Sequence, residues 1–142
     1  MTLLVSACLL GRNCKYSGGN NLCPKVVALA EKHRVVEICP EMMAGLGTPR
    51  TPVEIVNGIL MDRDGNCVDT ELRRAAEEAL IIAREAGIDW AVLQSRSPTC
   101  GVNQIYDGSF SGKLIPGQGV FARMLMDAGF SVVDAEDVEI LL

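Results

Sequence analysis

Three cysteines recur in one setting. Cys8, Cys39 and Cys100 each stand at or just past the end of an apolar, strand-like run, and each is followed closely by a residue that bends or frees the backbone: Gly11, Pro40 and Gly101. In an open parallel sheet the C-terminal strand ends share one edge, where such folds build their sites. Three thiols distant in sequence are therefore expected to converge there. The neighbouring Gly and Pro residues let the chain bend around a bound object and turn N–H groups toward it.

Thiolates are nucleophiles and soft metal ligands. A structural zinc ion takes a closed set of four Cys or His ligands, and the only histidine, His33, falls at the end of an expected helix away from that edge. No C-x-x-C pair occurs, which argues against zinc-ribbon and thioredoxin-like sites. An iron–sulfur cluster fits better, because a four-iron cluster held by three thiolates leaves one iron open as a Lewis acid. Cys23 and Cys67 read as buried filler, as free cysteines often are. Cys14, beside Lys15, stays open between a reactive thiol, a group next to the site and filler. Lys15 and Arg50 are the basic residues nearest the expected edge and are candidates for receiving an anionic or carbonyl-rich ligand.

Other motifs fail on spacing. "GQGVFA" (residues 117–122) loosely matches a dinucleotide fingerprint, but Pro116 and polar residues precede it where a clean strand is required. "GSFSGKL" lacks the spacing and hydroxyl residue of a phosphate-binding loop. "DRDGNC" opens like a calcium loop, yet Cys67 stands where glycine is needed and no Glu closes it.

The elements that must position these residues follow from periodicity and punctuation. Residues 3–8 form a buried strand and "KVVALAEKHR" a short helix with Pro24 in its first turn and basic residues in its last. "VVEICPE" is a second strand stopped by Pro40, and residues 41–52 read as a loop. Asn57-Gly58 and Asp64-Gly65 mark an antiparallel hairpin excursion at about residues 53–68. Asp69 or Thr70 caps the longest helix, "ELRRAAEEALIIAREAG", which ends at Gly87. "IDWAVLQS" is a third strand, "VNQIYDGSFSGKLIPGQG" a loop, "VFARMLMDAG" a helix and "SVVDA" a last strand. This order predicts an α/β fold: an open, mainly parallel, Rossmann-like sheet flanked by helices, with residues 1–142 as one domain.

Composition agrees. Apolar residues make up 49% and aromatics 4%, so the core is expected to be aliphatic, as in helices packed on a parallel sheet. No apolar run is long enough for a bilayer and no secretory signal opens the chain, so a cytoplasmic protein without a membrane partner is expected. A net charge of -5 argues against a general polyanion binder. In a reducing compartment the six cysteines are not expected to pair as structural disulfides. From the residues alone two other classes stay open: a non-enzymatic iron–sulfur or zinc module that senses or binds, and a cluster-free thiol or sulfur-transfer enzyme using Cys8 or Cys14.

The stretches "SACLLGRNCKYSGG", "CPEMMAGLGTPRTPVEI", "SPTCG" and "IYDGSFSGKLIPGQGVFARML" together resemble the thiouracil desulfurase family, over residues from about Val5 to Phe130. That resemblance implies removal of sulfur from a thiolated nucleobase such as 2-thiouracil by a [4Fe-4S] cluster with three cysteine ligands. It implies Cys8, Cys39 and Cys100 as those ligands, in agreement with their placement above, and Glu41 and Ser97 as polar groups close to the substrate. On this reading the open iron binds the substrate sulfur, water attacks the carbon, Glu41 is the general acid/base and Ser97 hydrogen-bonds substrate or water. The expected partner is a small thiolated base, free nucleobase or nucleoside in preference to nucleic acid. The sequence departs from the family pattern at Ser17, where Asp commonly follows the Tyr, and at Gln94, where Lys is frequent. These departures bear on substrate choice and leave the cluster ligands intact.

Overall fold

The computed structural model describes residues 1–142. In chain order the elements are β1 (Thr2–Ser6), α1 (Pro24–Ala30), β2 (Arg34–Ile38), α2 (Pro40–Met43), β3 (Val53–Val56), β4 (Ile59–Asp62) and α3 (Asp69–Ala86). They are followed by β5 (Trp90–Leu93), β6 (Gln104–Tyr106), β7 (Leu114–Pro116), α4 (Val120–Asp127) and β8 (Val132–Asp134). Two 3-10 turns, Ala7–Leu10 and Ala135–Leu141, follow β1 and β8.

Four strands form one parallel sheet in the order β2-β1-β5-β8. Leu4 at its centre is paired with Val36 on one side and Ala91 on the other. Connections therefore run in opposite directions about β1, from β1 to β2 on one side and from β2 by way of α3 to β5 on the other, which opens a crevice at the C-terminal strand ends. β1 and β5 are buried on both faces and accordingly read as unbroken apolar runs. One face packs Leu4, Ala91 and Leu93 against Leu72, Ala76, Ala79 and Ala83 of α3 and Phe121 and Leu125 of α4. The alanine stripe lets α3 lie close to the sheet. The other face packs Leu3, Val5 and Val92 against Val26 and Leu29 of α1 and Val138.

The expected sheet, helices and hairpin are present, with local differences. Asn57 and Gly58 both take left-handed backbone, φ 50° and 81°, as a type I′ turn between β3 and β4 requires. At Asp64-Gly65 only Gly65 is left-handed. There the Asp62 carboxylate organises the turn, accepting the N–H groups of Asp64 and Asn66 at 2.9 Å each. Residues 41–52 are not all loop: Pro40 starts the single turn of α2, because proline suits a first helical position. α1 stops at Ala30, so the basic residues lie beyond it. Neither Asp69 nor Thr70 is the N-cap of α3, since Val68 holds that place. The Asp69 carboxylate instead accepts from Leu60 N–H and Arg73, tying the helix to β4. The segment read as a loop after Cys100 contains a second hairpin, β6 with β7, whose three-residue strands are too short to show alternation. No helix is long and apolar enough to cross a membrane.

Candidate active site

A cavity of about 520 Å³ opens at the C-terminal edge of the parallel sheet. Cys8 enters it from the 3-10 turn after β1, Cys39 from the junction of β2 and α2, and Cys100 from the loop after β5. Glu41, Ser97, Lys15 and Arg50 line the same cavity. The switch point and the sheet order thus bring all seven expected site residues to one space.

Each thiol is held in a protonated, weakly partnered state. Burial pushes Cys8 up to about 11, with Asn21 hydrogen-bonding in the opposite sense and Cys14 and Glu41 adding to the rise. Burial and then the Glu41 charge push Cys39 further up, with Cys14 and Cys100 contributing. Cys100 is 3% exposed and is raised by burial and then Glu41, against hydrogen bonds from Ser6 and Thr99. These mutual influences show that the thiols and Glu41 share one electrostatic environment. No three His, Cys, Asp or Glu side chains converge tightly enough to chelate one metal ion, so the donor set is spread around a larger volume.

Glu41 lies in the first turn of α2, two residues past Cys39. Its Oε1 accepts the Thr99 hydroxyl at 2.5 Å, and its Oε2 faces the Cys39 thiol at 3.6 Å. Ser97 Oγ accepts the backbone N–H groups of Thr99 and Cys100 at 3.1 and 3.0 Å, which folds Ser97–Cys100 into a tight turn. The first N–H groups of α4 close on that turn: Val120 donates to Pro98 O, and Phe121 and Ala122 to Thr99 O, at 2.9 to 3.0 Å. This contact explains the second glycine of "GQGVFA", Gly119. A Cβ on Gly119 would stand 2.4 Å from the Thr99 carbonyl carbon.

The loops carrying Lys15 and Arg50 are joined to each other. Thr48 Oγ1 donates to Lys15 O at 2.5 Å, and Arg50 N donates to Tyr16 O at 2.7 Å. The Lys15 ammonium lies 5.8 Å from the Tyr16 ring centre, within cation–π range. Arg50 donates to Gly47 O at 2.8 Å. The two hairpins form the outer wall, joined by Glu54, whose buried carboxyl accepts the N–H groups of Gly108 and Phe110.

Several lining residues escape sequence reasoning. Arg63 comes from the expected first hairpin, and Arg96, Tyr106 and Phe110 come from segments whose course no local pattern sets. Arg96 and Phe110 have left-handed backbone, φ 63° and 56°, a cost of about 1–3 kcal/mol each that clusters at functional sites. Cys14 is 7% exposed and lines the cavity, so it is a neighbour of the three thiols. Cys67 is exposed, contrary to its reading as filler, because it bridges to Met61 at the outer edge of the first hairpin. Cys23 is only half-buried. Of the two departures from the family pattern, Gln94 lines the cavity, whereas Ser17 is exposed outside it.

Residues 3–137 match the family model described as 2-thiouracil desulfurase. The chain is 34% identical over 150 residues to the uncharacterized protein YbbK of Bacillus subtilis (strain 168), covering 99% of both chains. Among solved structures it is similar to the [4Fe-4S]-dependent thiouracil desulfidase TudS, with a TM-score of 0.92 and 34% identity, covering 99% of this chain and 94% of that one.

Proposed function

The chain belongs to the 2-thiouracil desulfurase family, and from that premise we propose that it hydrolyses a thiocarbonyl of a small thiolated nucleobase such as 2-thiouracil. The reaction exchanges sulfur for oxygen without net redox change: the carbon–sulfur bond breaks, a carbon–oxygen bond forms from water, and sulfur leaves as hydrosulfide. The observation that carries this reading is the gathering of Cys8, Cys39, Cys100 and Glu41 on one cavity at the edge of the sheet.

The donor set fits an iron–sulfur cluster. Three thiols arrive from three separate strand ends, are largely withdrawn from water and have only weak hydrogen-bond partners. Such soft donors become thiolates when they bind metal, with release of their protons. Cys8, Cys39 and Cys100 are the residues that would hold a [4Fe-4S] cluster. When bound with three protein ligands, such a cluster supplies an open iron that acts as a Lewis acid toward the thiocarbonyl sulfur.

The remaining steps belong to this chain. Glu41 reaches the cavity beside the thiols and takes the proton of the attacking water as general base, a role typically worth ~10² to 10⁴-fold. Ser97, its lone pairs engaged by two backbone N–H groups, turns its hydroxyl hydrogen toward substrate or water. Lys15 and Arg50 face the cavity with Arg63 and Arg96, a cationic rim that favours carbonyl-rich or anionic rings. A cavity of about 520 Å³, at the size typical of small-molecule pockets, suits a free base or nucleoside better than a nucleic-acid strand, as does the net charge of -5.

Sulfide release from 2-thiouracil by anaerobically reconstituted protein tests the proposal. Glu41→Gln is expected to keep its iron and lose turnover by at least about 100-fold. Undiminished turnover in that variant would remove Glu41 from the chemistry.

A further inference from the structure

A hydroxyl offers two lone pairs and one hydrogen. Both acceptor positions of Ser97 Oγ are filled, by Thr99 N–H at 3.1 Å and Cys100 N–H at 3.0 Å. Its hydrogen is therefore left to donate, and Thr99 Oγ1 lies 3.0 Å away. Thr99 in turn donates to Glu41 Oε1 at 2.5 Å. Counting donors fixes the sense of the chain: Ser97 to Thr99, and Thr99 to Glu41.

Thr99 has no solvent exposure, so water does not compete for its hydroxyl. Its backbone is equally constrained. Phe121 and Ala122 at the start of α4 both donate to its carbonyl, and Gly119 packs against that carbonyl where no side chain fits. The Glu41 carboxyl, by contrast, extends from a four-residue helix and has only the Cys39 thiol as a further side-chain partner. A rigid hydroxyl thus grips one oxygen of a carboxyl that is otherwise loosely held, and the other oxygen is left on the side of the thiols.

We propose that Thr99 is a positioning residue for the desulfuration site: it sets the orientation of the Glu41 carboxyl and couples it to Ser97, so that the three side chains work as one unit. This rests on the reading of Glu41 and Ser97 given above. The Ser97 hydrogen is the one movable part, able to turn from Thr99 to a ligand without disturbing the bond between Thr99 and Glu41.

Thr99→Val keeps the shape of the side chain and removes the hydroxyl, whereas Thr99→Ser keeps the hydroxyl. With 2-thiouracil as substrate, Thr99→Val is expected to lower kcat by about 10- to 100-fold with little change in KM, the cost of a misplaced catalytic group. Thr99→Ser is expected to retain kcat within about threefold. Both should bind iron and melt like the parent protein. Crystal structures of the variants supply a readout free of turnover: Glu41 should leave its position in Thr99→Val and keep it in Thr99→Ser. Thr99→Ala serves as the hydroxyl-free variant if Thr99→Val does not fold. An unmoved Glu41 in the hydroxyl-free variant, a Ser variant as impaired as the Val variant, or loss of iron from the folded Val variant each overturns the proposal. A parent protein that releases no sulfide instead refutes the functional reading, while the position of Glu41 in the variants still decides the role of Thr99.

Discussion

Cys8, Cys39 and Cys100 differ from Cys67 in what surrounds the sulfur, and alkylation of the metal-free protein makes the difference measurable. Burial raises all three, Cys8 to about 11 and the other two further, so little thiolate is present near neutral pH. Iodoacetamide at pH 7, followed by peptide mapping, should modify the exposed Cys67 first and these three last. The linkage has a definite sign. A folded-state value raised above the ordinary thiol value of 9.0 means that the native state holds protons the unfolded chain has released, so stability falls as pH rises through that window. Denaturant midpoints of the metal-free protein should therefore be flat from neutral pH to about 9 and decline toward pH 11. The placement of these three thiols on one edge was legible in the sequence, because each stands beside the end of an apolar run, whereas Glu41 and Ser97 were legible only through the family resemblance. Thr99 was legible in neither way. It sits inside the quoted "SPTCG", but its role depends on a carboxyl 58 positions away and no local pattern announces such a contact.

At the level of elements, two contacts hold the site in shape. The start of α4 clamps the Ser97–Cys100 turn, and only glycine fits at the crossing. Gly119→Ala should cost about 1–3 kcal/mol, read as a lower denaturant midpoint, and should weaken iron retention because Cys100 belongs to that turn. The second contact is Asp69, which accepts from Leu60 N–H and pairs with Arg73 at 2.9 Å. Leu60 N–H, then Arg73, holds the Asp69 carboxyl below its ordinary value. A depressed carboxyl contributes stability that is present above the ordinary value of 3.8 and is lost as pH falls through the folded one. Asp69→Ala should cost about 1–3 kcal/mol near neutral pH, as a lost charged hydrogen bond does, and that difference from the parent protein should shrink below pH 4. The β6–β7 hairpin and the turn of α2 were not legible, since three or four residues carry too little periodicity to outweigh the Gly and Pro around them. The cap at Asp69 failed for a related reason: the carboxyl had a tertiary partner on β4 that outcompeted the helix end.

The whole molecule is a parallel sheet whose strand order, β2-β1-β5-β8, turns three separated loops into one cavity. The continuously apolar runs β1 and β5 hold its centre, and the order explains why a chain without a C-x-x-C pair can gather thiols. The most direct test of the account is iron and acid-labile sulfide analysis of anaerobically reconstituted protein, with Ala at each cysteine in turn. About four iron and four sulfide per chain are expected for a [4Fe-4S] site, lost in Cys8→Ala, Cys39→Ala and Cys100→Ala and retained in Cys23→Ala and Cys67→Ala. Retention of the full complement by any of the first three, or its loss in Cys67→Ala, would contradict the assignment of the cavity as the cluster site.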